Sequence, residues 1–302
     1  MIKAEAPLPA SYSPTIMPLT FSLFLQLAVI QKLHMATMDI KSAYLNAALP
    51  PDADWIVTTL EPHIAEVCGL DPTQEYKITN ALYGLPDSGR LFCQHYKAAL
   101  LAEGYRMSAF DNCLFYRTTA TETTYIIVYV DDTFIFSYSA ENIDTVIASV
   151  GKHYEVTLDR EATSFLGLNL THNSGTVTIT QPKPLSFYGT TGTFHNRSVK
   201  QTAVATSSTH AEACAIFTLA KELNFLIALC QELQITLELP AIIMEDNSAV
   251  VTMANNNSGY IKKCKHFLIV LNYIKEKIAS GQIEVRKIYG KLNNADMHTK
   301  PL

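Results

Sequence analysis

The sequence predicts an α/β or α+β protein in two parts, and three observations carry that prediction. Apolar runs rich in β-branched and aromatic residues alternate with helix-length stretches along the chain. Both kinds of segment occur in each half, which excludes an all-α or all-β architecture. Pro182 and Pro184 then break the pattern and the chain changes character, so the expected parts are residues 1–181 and 182–302.

Each element follows in order. Residues 1–15 read as an extended lead-in, with a helix entered near Pro18 and running to about His34. "HMATMDI" is a short strand, and "DSGRLFCQHYKAALLAEG" is a helix ended by Gly104. Strands are expected at about 113–117, 124–130 and 133–138, then a helix at about 141–153. "SFLGLNLTH" and "GTVTITQ" form a strand pair. "YGTTGTFHNRS" reads as loop or edge strand. The second part opens with a long helix at about 208–235 that ends before Pro240. The strand "AIIMED", a short helix, a helix at about 264–279, the strand "QIEVRKIY" and a short terminal helix complete it.

Composition bounds the function. The chain has 302 residues, 48% hydrophobic and 17% charged, enough for two domains with real cores and too apolar for global disorder. A net charge of −5 argues against a dedicated nucleic-acid binder with a strong positive field. Six scattered cysteines without a C-x-x-C pair argue against a disulfide framework or zinc site and fit a reducing compartment. The apolar stretch "LTFSLFLQLAVI", residues 19–30, is shorter than the ~20 residues of a membrane span, so no membrane is expected.

"YIIVYVDDTFIFS", residues 125–137, concentrates the chemistry. Two apolar strands flank Asp131 and Asp132, so the pair reads as a hairpin turn. Asp-Asp is a poor turn choice, because Asn-Gly and Gly-Gly accept φ > 0 more cheaply and carry no mutual repulsion. A solvated turn explains the pair equally well when it is taken alone. A divalent cation also explains it, since a hard ion relieves the repulsion and takes carboxylate oxygens as ligands. A third carboxylate on another strand end decides between them, and Asp39 in "MDIKSAYLN" supplies it.

"MDIKSAYLN", "ALYGLPDSGRLF", "YVDD" and "FLGLNL" occur in the order found in the reverse transcriptase of Ty1/copia-type retrotransposons, which the first part resembles. "VATSSTHAEACAI", "MEDNSAVVTMAN", "KCKHF" and "NNADMHTKPL" resemble the ribonuclease H domain that follows it in the polyprotein. The resemblance implies a palm-like polymerase domain with partial fingers, then a ribonuclease H-like domain. It implies Mg²⁺ (or Mn²⁺), with Asp39 and Asp131 as principal ligands and Asp132 contributing less directly. Tyr44, five places after Asp39, would pack under the nucleotide sugar and reject a 2′-hydroxyl. Its structural alternative is a core tyrosine on a helix face. Phe165, Leu166 and Gly167 would contact the primer, and "YGLPDSGR" would lie beneath the incoming base. Family members often carry Gln where this chain has Asp87. Implied partners are an RNA template, a DNA primer, an RNA–DNA hybrid and deoxynucleotide triphosphates, with other retroelement chains. The implied location is a cytoplasmic virus-like particle, or the nucleus.

In the second part the resemblance implies a metal-binding acid set of Glu212, Asp246 and Asp296, with His266 at a motif position of unassigned role. A further carboxylate is expected on a first strand before "VATSST", yet residues 162–211 hold no Asp or Glu. The resemblance implies a thumb and connection compressed to "TQPKPLSFYG" and leads to the expectation that the basic fingers segment before Tyr12 is lacking. The remaining cations, Lys262, Lys263, Lys265, Lys275, Lys277, Arg286, Lys287 and Lys291, face either a hybrid or solvent. Three readings follow: a working polymerase with ribonuclease H, a degenerate truncated polyprotein fragment, or a catalytically inactive nucleic-acid-binding or assembly module.

Overall fold

A computed structural model describes residues 13–53, 56–173, 176–180, 208–256 and 268–290. The chain divides into two compact units, Met1–Phe194 and His195–Leu302. The division falls among residues outside the described ones, as does "YGTTGTFHNRS".

The first unit is built on a six-stranded sheet of order β4-β5-β6-β7-β1-β8. Its strands are β1 (His34–Ile40), β4 (Arg106–Met107), β5 (Leu114–Thr118), β6 (Thr123–Tyr129), β7 (Asp132–Ser137) and β8 (Val156–Asp159). Every pairing is antiparallel. β6 and β7 are buried almost without alternation, which requires cover on both faces. One face packs on α3 (Ser88–Ala102) and α4 (Ala140–Gly151), joining Phe92, Tyr96, Val146 and Val150 to Met38, Ile126 and Ile135. Tyr96 Oη bonds Thr133 Oγ1 there at 2.9 Å, satisfying two buried hydroxyls.

The other face packs on α1 (Pro18–Gln31), whose Pro18 sits where its missing N–H is harmless. Phe24 meets Tyr125 and Phe136 at ring-centroid distances of 4.9 and 5.5 Å, and Phe21 meets Phe134 at 6.0 Å. Such pairs add about 0.5–1.5 kcal/mol each beyond area burial. Buried Asp111 fixes the entry to α1, accepting from Met17 N at 3.1 Å and Cys113 N at 3.0 Å. The helix stops at Lys32, which takes φ 54°, earlier than the expected His34. β9 (Ser164–Phe165), β10 (Leu168–Asn173) and β11 (Thr176–Thr180) form a three-stranded sheet rather than a pair. Between β1 and α3 lie β2 (Val57–Thr58), α2 (Pro62–Cys68) and β3 (Tyr76–Lys77).

The second unit contains α5 (Ser208–Glu232), β12 (Ala241–Glu245), α6 (Ser248–Asn255), α7 (Leu268–Ala279) and β13 (Ile283–Lys287). β12 and β13 pair in parallel, which demands the helical crossover that α6 and α7 provide. Ala213, Ile216 and Ala220 of α5 pack with Ile243, Val250, Ile274 and Val285. α5 is long and apolar enough to cross a membrane by composition over Thr209–Glu232. It packs on α6 and α7 through Ala213, Ile216 and Ala220. The terminal helix lies outside the described residues.

Candidate polymerase site and a second acid cluster

The hairpin turn between β6 and β7 lies one residue earlier than the sequence suggests. Tyr129 and Asp132 are already paired, so the turn residues are Val130 and Asp131, not Asp131 and Asp132. The offset arises because Val130 takes φ 56°, a left-handed conformation costly for a β-branched residue. Asp132 thus becomes a strand residue, paired with Asp39 on its other side. Residues directly opposite in a sheet share a face, so these two side chains project together. Asp39 is also paired with Thr157 of β8, and Ile40 N donates to Asp131 O at 3.1 Å. β1 is thereby held from both sides at the position of its aspartate.

The electrostatics follow. Burial first, and then the Asp131 charge, push the Asp39 carboxyl above its ordinary range. Burial, then Asp131, then Asp39 push Asp132 up to about 6. Each influence disfavours negative charge, and a cation would offset them all. Among the described residues no three His, Cys, Asp or Glu side chains converge as a ready metal cage. The oxygen-only donor set still fits Mg²⁺, which is bound through one or two carboxylates plus substrate phosphates rather than an all-protein cage.

Tyr44 lies beside this trio on the 3₁₀ turn Ala43–Asn46, entered through Ser42 at φ 49°. It is half-buried on that turn rather than a core residue of a helix face. Burial, then the Asp131 charge, then Tyr83 raise its phenol pKa, so the hydroxyl senses the site. Its ring lies 4.4 Å from that of Tyr83 and 6.2 Å from that of Phe92. Asp87 pairs with Arg90, whose Nη2 donates to Oδ2 at 3.0 Å.

"FLGLNL" forms the β9–β10 hairpin. Leu166 and Gly167 are its turn, at φ 53° and 72°, as a type I′ turn requires. The Phe165 side chain is buried against Phe134 and Phe21, at 5.0 and 5.3 Å. Leu166 and Gly167 remain at the tip.

In the second unit Glu245 is the residue that sequence reasoning missed. It is 6% exposed and accepts from Asn247 N at 2.7 Å. Its pKa is raised by burial first, with Glu212 and Asp246 adding to the rise and Asn247 N–H and Lys287 opposing it. Glu212 and Asp246 are therefore brought together around it. Strand alternation held the signal, because Glu245 shares the parity of buried Ile243. Asp296 and His266 lie outside the described residues. So do Lys262, Lys263, Lys265 and Lys291. The other four cations do not form a free phosphate-facing row. Arg286 pairs with Glu284, Lys275 donates to Asn256 O, Lys277 lies over the Tyr273 ring, and Lys287 donates to Asp246 O.

The hairpin carboxylates, the neighbouring tyrosine and the antiparallel sheet define a polymerase-like site. The chain belongs to the reverse transcriptase (RNA-dependent DNA polymerase) family, whose model matches residues 4–188. Its relatives are retrotransposon proteins of the Ty/copia type. It is 27% identical to the putative transposon Ty5-1 protein of Saccharomyces cerevisiae, over 47% of this chain and 45% of that one. It is 25% identical to the retrovirus-related Pol polyprotein from transposon RE1 of Arabidopsis thaliana, over 52% of this chain and 10% of that one. The corresponding RE2 polyprotein of Arabidopsis thaliana is 31% identical over 35% of this chain and 7% of its own length. The chain thus spans less than half of each of these relatives. A solved structure of apo telomerase from Candida tropicalis aligns over 53% of this chain and 39% of its own, at 14% identity and a TM-score of 0.27, too low to carry any argument.

Proposed function

We propose that the first unit extends a DNA primer on an RNA template by nucleotidyl transfer. The observation that carries this reading is the joining of Asp39, Asp131 and Asp132 at one end of the β1–β7 pair, beside Tyr44. Divalent ions, when bound, supply stabilisation of the attacking and leaving oxygens of an in-line displacement. Asp39 and Asp131 would hold them. The two-sided pairing of β1 and the tight turn keep those carboxylates oriented, which is the protein's main task in phosphoryl chemistry. The Tyr44 ring, fixed by its aromatic neighbours, would sit under the sugar of a deoxynucleotide triphosphate and exclude a ribose. The Leu166–Gly167 turn would meet the primer backbone.

The second unit is, in this proposal, a weakened ribonuclease H-like domain acting on an RNA–DNA hybrid through Glu212, Asp246 and Asp296. Residues 162–211 contain no Asp or Glu to complete that set, and Lys287 already counters the charge of Glu245. This favours hybrid binding with poor cleavage. Primer extension by the purified chain with Mg²⁺, beside Asp131→Asn, tests the first reading. Extension that survives in the variant would sink it. Incubation with a labelled hybrid tests the second, and robust cleavage abolished by Asp246→Asn would overturn it.

A further inference from the structure

Tyr83, the first residue of "YGLPDSGR", is an exposed aromatic residue whose contact with Tyr44 carries a further role. Its side chain is 60% exposed, yet its ring lies 4.4 Å from that of Tyr44, tilted by 31°. Single exposed aromatics are ordinary and need no explanation. This one is different because its backbone is fixed. Leu85 N donates to Leu82 O at 3.2 Å, closing a turn around Tyr83 and Gly84. Gly84 takes φ 100°, a conformation that only glycine adopts without strain. Ser88, the buried first residue of α3, donates its hydroxyl to Leu82 O at 2.6 Å and ties that turn to the helix. The start of α3 closes on Tyr44 as well. A methyl built on Gly89 would stand 3.6 Å from Tyr44 Oη, and Phe92 lies one turn further along the same helix face.

Tyr44 itself rides on a single 3₁₀ turn, a short element with poor hydrogen-bond geometry. Such a support does not define a ring's plane to the fraction of an ångström that steric rejection of one hydroxyl requires. The neighbouring Tyr83 ring, carried on an anchored turn, does.

We propose that Tyr83 is a positioning residue, whose ring holds Tyr44 in the orientation that discriminates deoxyribonucleotides from ribonucleotides. This rests on the polymerase reading above and deepens it: sugar selection belongs to a two-tyrosine pair rather than to one side chain. In this proposal Tyr83 acts through Tyr44.

The test is a double-substitution cycle on the full chain, reading kcat/KM for dATP and ATP in Mg²⁺-dependent primer extension. Tyr83→Ala should lower the preference for dATP two- to tenfold, on the order of one aromatic contact. Tyr83→Phe keeps the ring and should retain the preference. In a Tyr44→Ala background, Tyr83→Ala should change the preference no further, because the two residues act as one unit. A melting temperature for each variant separates loss of selection from loss of fold. An unchanged preference in Tyr83→Ala overturns the inference while leaving the polymerase reading intact. So does an effect of equal size in the Tyr44→Ala background, which would mean that Tyr83 meets the nucleotide directly. A parent chain with no metal-dependent extension overturns the polymerase reading, and this inference with it.

Discussion

The two acid clusters balance their charge in opposite ways. In the first unit, Asp39 and Asp132 are pushed toward protonation by burial and by neighbouring carboxylates, and among the described residues no cation opposes the rise. In the second, Glu245 is more deeply buried, but a main-chain N–H and Lys287 work against the same effect. The first cluster has its repulsion unrelieved and is poised for an external cation. The second carries part of its counter-charge within the fold. Like-charge groups held together without internal compensation are what a metal-dependent site requires of a scaffold.

The largest expected effect tests that contrast through activity. Asp131→Asn should lower primer extension by more than a hundredfold, the consequence of losing a transition-state interaction of ~3 kcal/mol. Asp246→Asn should lower hybrid cleavage far less, because the parent's cleavage is already weak. Steady-state rates on both substrates check this, and comparable losses in both assays would erase the distinction.

Stability gives the next two effects. Lys287→Met should destabilise the second unit by less than about 1 kcal/mol, because Lys287 is exposed and is the weakest of the influences acting on Glu245. The loss should be greater at pH 8 than at pH 4. Glu245 has a folded pKa above its ordinary value of 4.5, so at low pH it is protonated and makes no demand on the lysine. Thermal denaturation at the two pH values decides, and equal losses would mean that Lys287 is not the counter-charge.

In the first unit the substitution of choice removes a charge instead. Asp132 has a folded pKa of about 6 against an ordinary 3.8, so it binds its proton more tightly in the fold than out of it. The fold therefore gains stability as pH falls through 6 toward 3.8 and loses that increment above it. Asp132→Asn should stabilise the metal-free chain at pH 7 by about 1 kcal/mol, after allowance for solvent screening. The gain should vanish at pH 3.5, and added Mg²⁺ should narrow it. A variant less stable than the parent at pH 7 would show that Asp132 is internally compensated after all.

The elements with strong periodicity were legible in the sequence. Apolar runs such as "YIIVY" and "TFIFS" signal buried strands because both faces of the sheet are covered, and α5 is long enough to declare itself. β2 and β3 were not legible, since two-residue strands carry no periodicity. The hairpin turn was misplaced by one residue because its position is set by the φ of Val130 and by pairing with β1. Neither is encoded in the local pattern that makes Asp-Asp look like the break. The partner of Lys287, Asp246 O, lies 41 residues away in the chain and was illegible for a related reason. Glu245 was legible through its parity with Ile243, but the adjoining aspartate of a familiar motif drew attention from it.

The smallest effect concerns the turn itself, a feature of the first cluster alone. Val130 sits at φ 56°, where an L-residue loses about 1–2 kcal/mol and a β-branched one is more crowded still. Glycine would remove that strain. It would also cost about 0.5–1 kcal/mol in chain entropy and surrender the packing of the Val130 side chain against the core under the sheet. These terms nearly cancel, so Val130→Gly should change stability by no more than about 1 kcal/mol. Val128, two residues earlier on β6, is 5% exposed in ordinary strand geometry and has no strain to release. Val128→Gly should therefore cost about 3 kcal/mol from lost burial and cavity formation. Denaturant titration of both variants measures the difference. If Val130→Gly is as damaging as Val128→Gly, the turn holds no strain, and the placement of Asp131 owes nothing to it. If instead stability is kept while primer extension falls, the strained valine serves to aim Asp131, and the first cluster is held in place at the expense of local backbone comfort.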